Sequence, residues 1–402
     1  GCARDPALAR QVAEVTAIES RATGVNWVFA PALSVAHDVR WGRTYEGFSD
    51  DFDTVGMLGA AAVQGYQANH TVACVKHWVG DGATTFGTGS GDLKAFDRGD
   101  CRLPEAELRR THMRPYVECL REPCSCQTVM ASFSSVNGEK MHGHRHLLTE
   151  VLKQELGFDG ILVSDWAAVD ELAPREQFKE ALVKAVNAGI DVVMLPGTVC
   201  FGNQSQETYF SYMHQAVEEG LIPMDRIDDA VARIVRVKMR LGLFQDPWSH
   251  RDKLKLVGCG EHRRVARDAV RRSLVLLQNR NHALPLAGSV LVAGDGADNL
   301  GMQCGGWSME HQGFDGNRAT KGVTILAGLR ALGVKVLHDP EARSPTAALG
   351  DVALVVCGEQ PYAETQGDQL DYRLLFATRD LRLLQRVRSA RPGRKIVLVL
   401  LC

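Results

Sequence analysis

The chain has 402 residues, 45% of them hydrophobic and 23% charged, with a formal net charge of −2. That length holds about two to three domains with sizeable cores, and the near-neutral balance, without a long basic run, speaks against a nucleic-acid or anionic-membrane partner. No stretch approaches the roughly 18 uninterrupted apolar residues of a membrane span, so a soluble protein without a membrane partner is expected.

The chain opens on a Gly at residue 1 and runs straight into a helical pattern, LARQVAEVTAIESRA. Five short apolar runs then alternate with longer amphipathic segments: VNWVFAP (25–31), TVACVKH (71–77), QTVMASF (127–133), DGILVSD (159–165) and AGIDVVML (188–195). Their continuous, β-branched character suits parallel strands covered on both faces by crossover helices. DRIDDAVARIVRVKMRLG reads as one such helix, with Asp225 as N-cap, Ile227, Val231, Ile234 and Leu241 on its apolar face, and Gly242 ending it. Serial βα units predict a (β/α) barrel or an open doubly wound sheet, which periodicity does not separate.

From Asp246 to Gly260 the pattern breaks and reads as a linker. A helix is expected in EHRRVARDAVRRSLVLLQN, followed by further strands at SVLVAGD (289–295), VKVLHD (334–339), DVALVVCGE (351–359) and KIVLVLLC at the end. The expected organisation is therefore an α/β unit over 1–246, a linker over 247–260 and a second α/β domain over 261–402. The 11 cysteines lack metal-type spacing, Cys124 and Cys126 lying too close for the usual zinc pair. Most are expected to be small buried hydrophobes, and neither a metal nor an organic cofactor is indicated. Sequons at Asn69 and Asn203 permit a secretory route.

In parallel α/β folds the reactive groups gather where strands end. Arg40, Arg43 and Glu46 follow the first run; Lys76 and His77 end the second; Ser132, Ser134 and Asn137 follow the third; Asp165 and Trp166 follow the fourth. A strand-end aspartate is often only a cap, and a Lys-His pair often only structural. Together, a carboxylate, cations, an imidazole and an aromatic ring suit a hydroxyl-rich ligand such as a sugar.

The segments carrying these residues resemble glycoside hydrolase family 3. FAPALSVAHDVRWGRTYEGFSDD is similar to its Asp-x-Arg-Trp-Gly-Arg segment, VACVKHWVGDG to its Lys-His loop, MASFSSVNGEKMHG to its Ser-x-x-Asn-Gly stretch and GFDGILVSDWAAVDEL to its nucleophile signature. ADNLGMQCGGWSMEHQG and GEQPYAETQGD resemble the exo-glucanase branch. The resemblance implies a (β/α)8 TIM-like barrel followed by an α/β sandwich domain, and a retaining enzyme that releases terminal β-D-glucose from β-glucosides or β-glucan oligosaccharides. It makes Asp165 the nucleophile and Glu364 the acid/base, with Glu359 as a competing candidate. Arg43, Lys76, His77, Trp166 and Met130 would bind the terminal sugar, and Trp307 the next one. Retention requires one ionised carboxylate and one carboxylic acid about 5–5.5 Å apart; nearby cations favour the first state and desolvation the second.

Three departures from the family pattern stand out. Both ends read as cut, so a fragment is expected, lacking the first barrel strand with its sugar-binding aspartate and the last strands of the sandwich. His311 stands where a second clamp tryptophan is common, which predicts a weaker grip on the second sugar. Phe133 and Glu171 replace a tyrosine and an arginine. A branch that removes N-acetylglucosamine would need a histidine where Asp81 stands, and the glycine pattern of GDGADN (294–299) falls short of a nucleotide fingerprint. A sugar-binding homologue with impaired catalysis and a β-xylosidase are the remaining alternatives. A secreted, periplasmic or other secretory location is expected.

Overall fold

The chain divides into two compact units, Gly1–Leu274 and Val275–Cys402. The computed structural model describes residues 1–195, 205–372 and 378–401; the Asn203 sequon lies outside them. In the first unit, α1 (Pro6–Thr23) starts where the Asp5 carboxylate accepts from Leu8 N and stops at Gly24, whose φ of 96° favours a residue without Cβ. Then come β1 (Trp27–Val28), α2 (Phe52–Gln67) under an Asp51 cap, and β2 (Val72–Trp78). Short elements follow: β3 (Asp100–Cys101), α3 (Glu105–Arg110) and α4 (Arg114–Leu120). Next are β4 (Thr128–Ala131) and the hairpin strands β5 (Ser135–Val136) and β6 (Glu139–Lys140). A wide π-type helix over His146–Glu155 leads to β7 (Ile161–Val163) and α5 (Phe178–Ala188). The unit ends with α6 (Gln206–Glu218), α7 (Met224–Arg240) and α8 (Gly260–Ser273).

β1, β2, β4 and β7 form a parallel sheet in that order. The fifth apolar run attaches next to β7 through a parallel bridge between Val163 and Val192. Nearly every residue of β2, β4 and β7 is buried, which is why these strands read as continuous apolar runs rather than alternating ones.

Two expectations change in detail. α7 begins at Met224 behind Pro223, so Asp225 lies in its first turn rather than at the cap; there it still faces the positive helix end. Its buried residues are Ala230 and Val237, whereas Val231 is exposed. The 247–260 segment does not separate the units. Gly258 N donates to Glu19 Oε1 of α1 at 2.8 Å, and His262 Nδ1 meets the same oxygen at 2.7 Å. These contacts tie α8 to the first unit, and its helix stops at Ser273, leaving Leu274–Leu277 non-helical and exposed.

The second unit contains β8 (Val290–Ala293), α9 (Leu300–Cys304), α10 (Ile325–Ala331), β9 (Val336–His338), β10 (Val352–Gly358), α11 (Thr378–Ala390) and β11 (Lys395–Leu401). Its sheet is parallel, in the order β11-β10-β8-β9. Alternation splits the buried side chains between two faces. Leu291, Ala293, Ala353 and Val355 pack with Leu383 and Val387 of α11, and Val290, Val292, Leu354 and Val356 pack with Leu326 of α10. The chain is thus a two-domain α/β protein. No described helix is long and apolar enough to cross a membrane. Cys124 and Cys126 are buried free thiols, and burial pushes the Cys126 thiol up to about 11.

Candidate active site

The segments that follow β1, β2, β4 and β7 supply one buried cluster. Asp165 follows β7 by two residues and is buried. Its main-chain N–H donates to His142 Nε2 at 2.9 Å, and its Oδ1 accepts from Trp166 N at 2.7 Å. Oδ2 is buried, accepts no hydrogen bond among the described residues, and lies 3.5 Å from His77 Nε2. A carboxylate fixed through its backbone and one oxygen, with the other oxygen left open, is suited to attack an electrophilic carbon.

His77 comes from β2, next to Lys76, and its Nδ1 is 2.6 Å from Asp81 Oδ2. Its Nε2 also lies 3.4 Å from Arg43 Nη2. Arg43 is buried and grips Glu46 with two hydrogen bonds, at 2.9 and 3.0 Å. Burial raises the Glu46 carboxyl, but the Arg43 charge and hydrogen bond, with Lys76 and His77, outweigh it and hold the group below its ordinary value. Asp81 behaves alike: burial raises it, and His77, Arg43 and Ser132 bring it below the usual range. His142 is neutral, since burial first, then the charges of Lys140 and His77, lower it to about 3. The cluster therefore holds ionised carboxylates and cations in place without bulk water.

Not every strand-end candidate belongs to it. Arg40 pairs with Asp38 at 2.7 Å and stacks on Phe86 and Phe96. Asn137 takes a left-handed φ of 49° and donates to Leu103 O, closing a turn. Ser132, by contrast, joins the cluster from the end of β4: it donates to Asp81, and its Oγ accepts from Ser134 N at 2.9 Å. Met130 is buried in an apolar group with Cys74 and Val163 beneath the strand ends, while Trp166 is exposed. The reversed charge of Glu171 is met by Lys140 at 2.7 Å, and Phe133 lies under the Arg98 guanidinium, 4.0 Å from its ring centroid.

In the second unit, Glu364 opens a 3-10 turn, Glu364–Gly367, at a φ of 55°. Its Oε2 lies 3.7 Å from His311 Nε2. The His311 and Trp307 rings are 4.6 Å apart at 51°, so His311 packs against Trp307 instead of standing off as an opposing wall. Glu359 Oε2 accepts from the Tyr362 hydroxyl at 2.5 Å.

Two groups of the first cluster escaped the reading of the strand ends. Asp81 sits four residues past His77, in a GDG turn that folds back on it. His142 arrives from the Met141–Gly143 turn, and nothing local marks it as a neighbour of Asp165. Among the described residues, no group of three or more His, Cys, Asp or Glu side chains could hold a metal ion.

A parallel α/β unit whose strand ends converge on a buried carboxylate, an imidazole and an arginine fits a carbohydrate-processing protein, and comparison with known families agrees. Residues 1–237 match the Glycosyl hydrolase family 3 N terminal domain, and residues 274–402 the Glycosyl hydrolase family 3 C-terminal domain. The chain belongs to glycoside hydrolase family 3. It is 32% identical to a lysosomal beta glucosidase of Dictyostelium discoideum, over 98% of this chain and 50% of that protein. It is also 32% identical to a periplasmic beta-glucosidase of Salmonella typhimurium, over 82% of this chain and 42% of that protein. The chain thus spans half or less of the length of these relatives. Among solved structures, a mutant exo-1,3/1,4-beta-glucanase from a Pseudoalteromonas species superposes with a TM-score of 0.88 at 38% identity, covering 100% of this chain and 64% of that one.

Proposed function

We propose that the protein acts as a retaining glycoside hydrolase, releasing terminal β-D-glucose from β-glucosides or β-glucan oligosaccharides. The observation that carries this reading is Asp165, with Oδ2 open and facing His77 Nε2 at 3.5 Å. In this reading Asp165 attacks the anomeric carbon, forming the glycosyl-enzyme ester as the glycosidic C–O bond breaks. Glu364 gives its proton to the departing oxygen, then takes one from the water that hydrolyses the ester. Arg43, Lys76 and His77 hold the sugar's hydroxyls, Trp166 walls the pocket, Met130 underlies it and Trp307 receives the second sugar.

The first unit, in the same reading, is a TIM-like (β/α)8 barrel carrying the nucleophile, and the second an α/β sandwich domain carrying the acid/base. A secretory-type compartment is consistent with relatives named lysosomal and periplasmic. The deciding measurement is the NMR spectrum of freshly released product from an aryl β-glucoside. β-Glucose appearing before the α-anomer supports the reading, whereas α-glucose first overturns it. An aryl β-xyloside cleaved in preference to the glucoside would shift the assignment to a xylosidase.

A further inference from the structure

We propose that Asp81 is a positioning residue that keeps the proton on His77 Nδ1 and thereby aims Nε2 at the nucleophile. This rests on the reading of His77 as a sugar-holding group. The geometry starts from the turn after β2. Gly80 takes a φ of 100°, and a Cβ on Gly82 would collide with the Val35 carbonyl, so only this glycine-flanked loop folds Asp81 back onto the strand it has just left.

The hydrogen bonds around Asp81 leave one consistent assignment. Ser132 Oγ accepts from Ser134 N at 2.9 Å through one lone pair and donates its single proton to Asp81 Oδ1. Asp81 is then an acceptor on Oδ1, and on Oδ2 it faces His77 Nδ1 at 2.6 Å and the Ser34 hydroxyl at 3.4 Å. An unprotonated Nδ1 would set a lone pair against a buried carboxylate oxygen. The same conclusion comes from the other side of the ring. Arg43 Nη2, a donor in every state, lies 3.4 Å from Nε2, so a neutral imidazole protonated only at Nε2 would oppose two donors there and two acceptors at Nδ1. With the proton at Nδ1, Nε2 accepts from Arg43 when the ring is neutral. When the ring is charged, it donates towards Asp165 Oδ2 or a bound hydroxyl. The depressed carboxyl of Asp81 agrees with its ionised, accepting role. An ion-paired carboxylate that orients an imidazole is a recurrent device.

The test uses Asp81→Asn and Asp81→Ala in the whole chain, with thermal melts to confirm folding. In the ligand-free protein, a downfield imidazole Nδ1–H resonance, assigned by its loss in His77→Gln, should be present in the parent and lost in Asp81→Ala. The kcat/KM for an aryl β-glucoside should fall on the order of 10–100-fold, with Asp81→Asn intermediate. A resonance that survives Asp81→Ala, or a kcat/KM within twofold of the parent, overturns the proposal. If the alanine variant does not fold, Asp81→Asn decides: a parent-like resonance together with parent-like kinetics overturns it. Because the resonance is read without substrate, its presence does not depend on the hydrolase reading. A parent chain that cleaves no glycoside overturns that reading instead and leaves the tautomer result intact.

Discussion

Arg43, His77, Asp81 and Asp165 are only 5, 4, 7 and 9% exposed, whereas Trp307 is 48% exposed and the His311 side chain 50%. In the first unit each polar group is fixed by another, Arg43 by Glu46, His77 by Asp81, and Asp165 by His142 and Trp166. In the second unit Trp307 and His311 form an exposed aromatic pair beside Glu364, a carboxylate on a short turn. The contrast is one of dielectric. Charges held away from water act strongly and tolerate little change, while a half-exposed ring contributes through area and stacking. The buried cluster of the first unit should therefore be the more sensitive to substitution, and the exposed pair Trp307 and His311 the part that tunes substrate preference.

The hardest break of that contrast is Asp165→Asn. It keeps the shape and removes the nucleophile, and hydrolysis of an aryl β-glucoside should fall by several orders of magnitude. An intact rate would end the assignment. Glu364→Ala should lose less on an activated aryl glucoside, whose leaving group needs little protonation, and azide should restore its turnover. The same rescue at Glu359 and not at Glu364 would move the acid/base.

A second test addresses burial itself. His142 protonates near 3 and His112 near 4 in the folded state, both lowered chiefly by burial, against about 6.5 when unfolded. Between these values the unfolded chain binds more protons, so stability is full above about 6.5 and is lost as pH falls towards 4, by about 1.4 kcal/mol per pH unit for each histidine. Protonating His142 Nε2 also removes the acceptor for Asp165 N. Urea midpoints measured across this window should fall with acid, and His142→Gln should flatten the slope by one proton. An unchanged slope would mean that His142 takes up its proton without unfolding.

The two regions also differ in how far the sequence disclosed them. β2, β4 and β7 were legible because strands covered on both faces carry unbroken apolar runs; the polar endings of β2 and β7 singled out His77 and Asp165, and the segment after the first run singled out Arg43. Asp81 and His142 were not, because they reach the site through turns whose direction depends on backbone φ and on neighbours distant in the chain. The α8 run misled for a related reason: four consecutive apolar residues, Leu274–Leu277, fit a helix or an extended chain equally well. Val231 fits the helical period of α7 yet lies exposed, since a period fixes which residues share a face but not what covers it. His311 was visible as a departure, but its contact partners were not.

Replacement of Trp307 by alanine should raise KM for β-linked disaccharides roughly 3–10-fold, the equivalent of about 0.5–1.5 kcal/mol of stacking, with aryl glucoside kinetics much less affected. Equal effects on both substrates would place Trp307 at the terminal sugar instead.

The smallest effect, and the finest test, is His311→Trp. If a small imidazole face limits the grip on the second sugar, the larger ring should lower KM for disaccharides a few-fold and leave kcat unchanged. The geometry adds a competing consequence: His311 is packed on Trp307 at 4.6 Å and its Nε2 lies 3.7 Å from Glu364 Oε2. A tryptophan does not reproduce that imidazole nitrogen beside the carboxylate, because its indole offers a single neutral donor on a larger ring. A drop in kcat for disaccharides with KM unchanged would show that the contact with Glu364 outweighs the ring face. His311→Phe then separates the two, because it keeps an aromatic face and has no polar nitrogen. Matching kcat losses in the Phe and Trp variants would assign the effect to the lost imidazole, and a loss confined to the Trp variant would assign it to ring size.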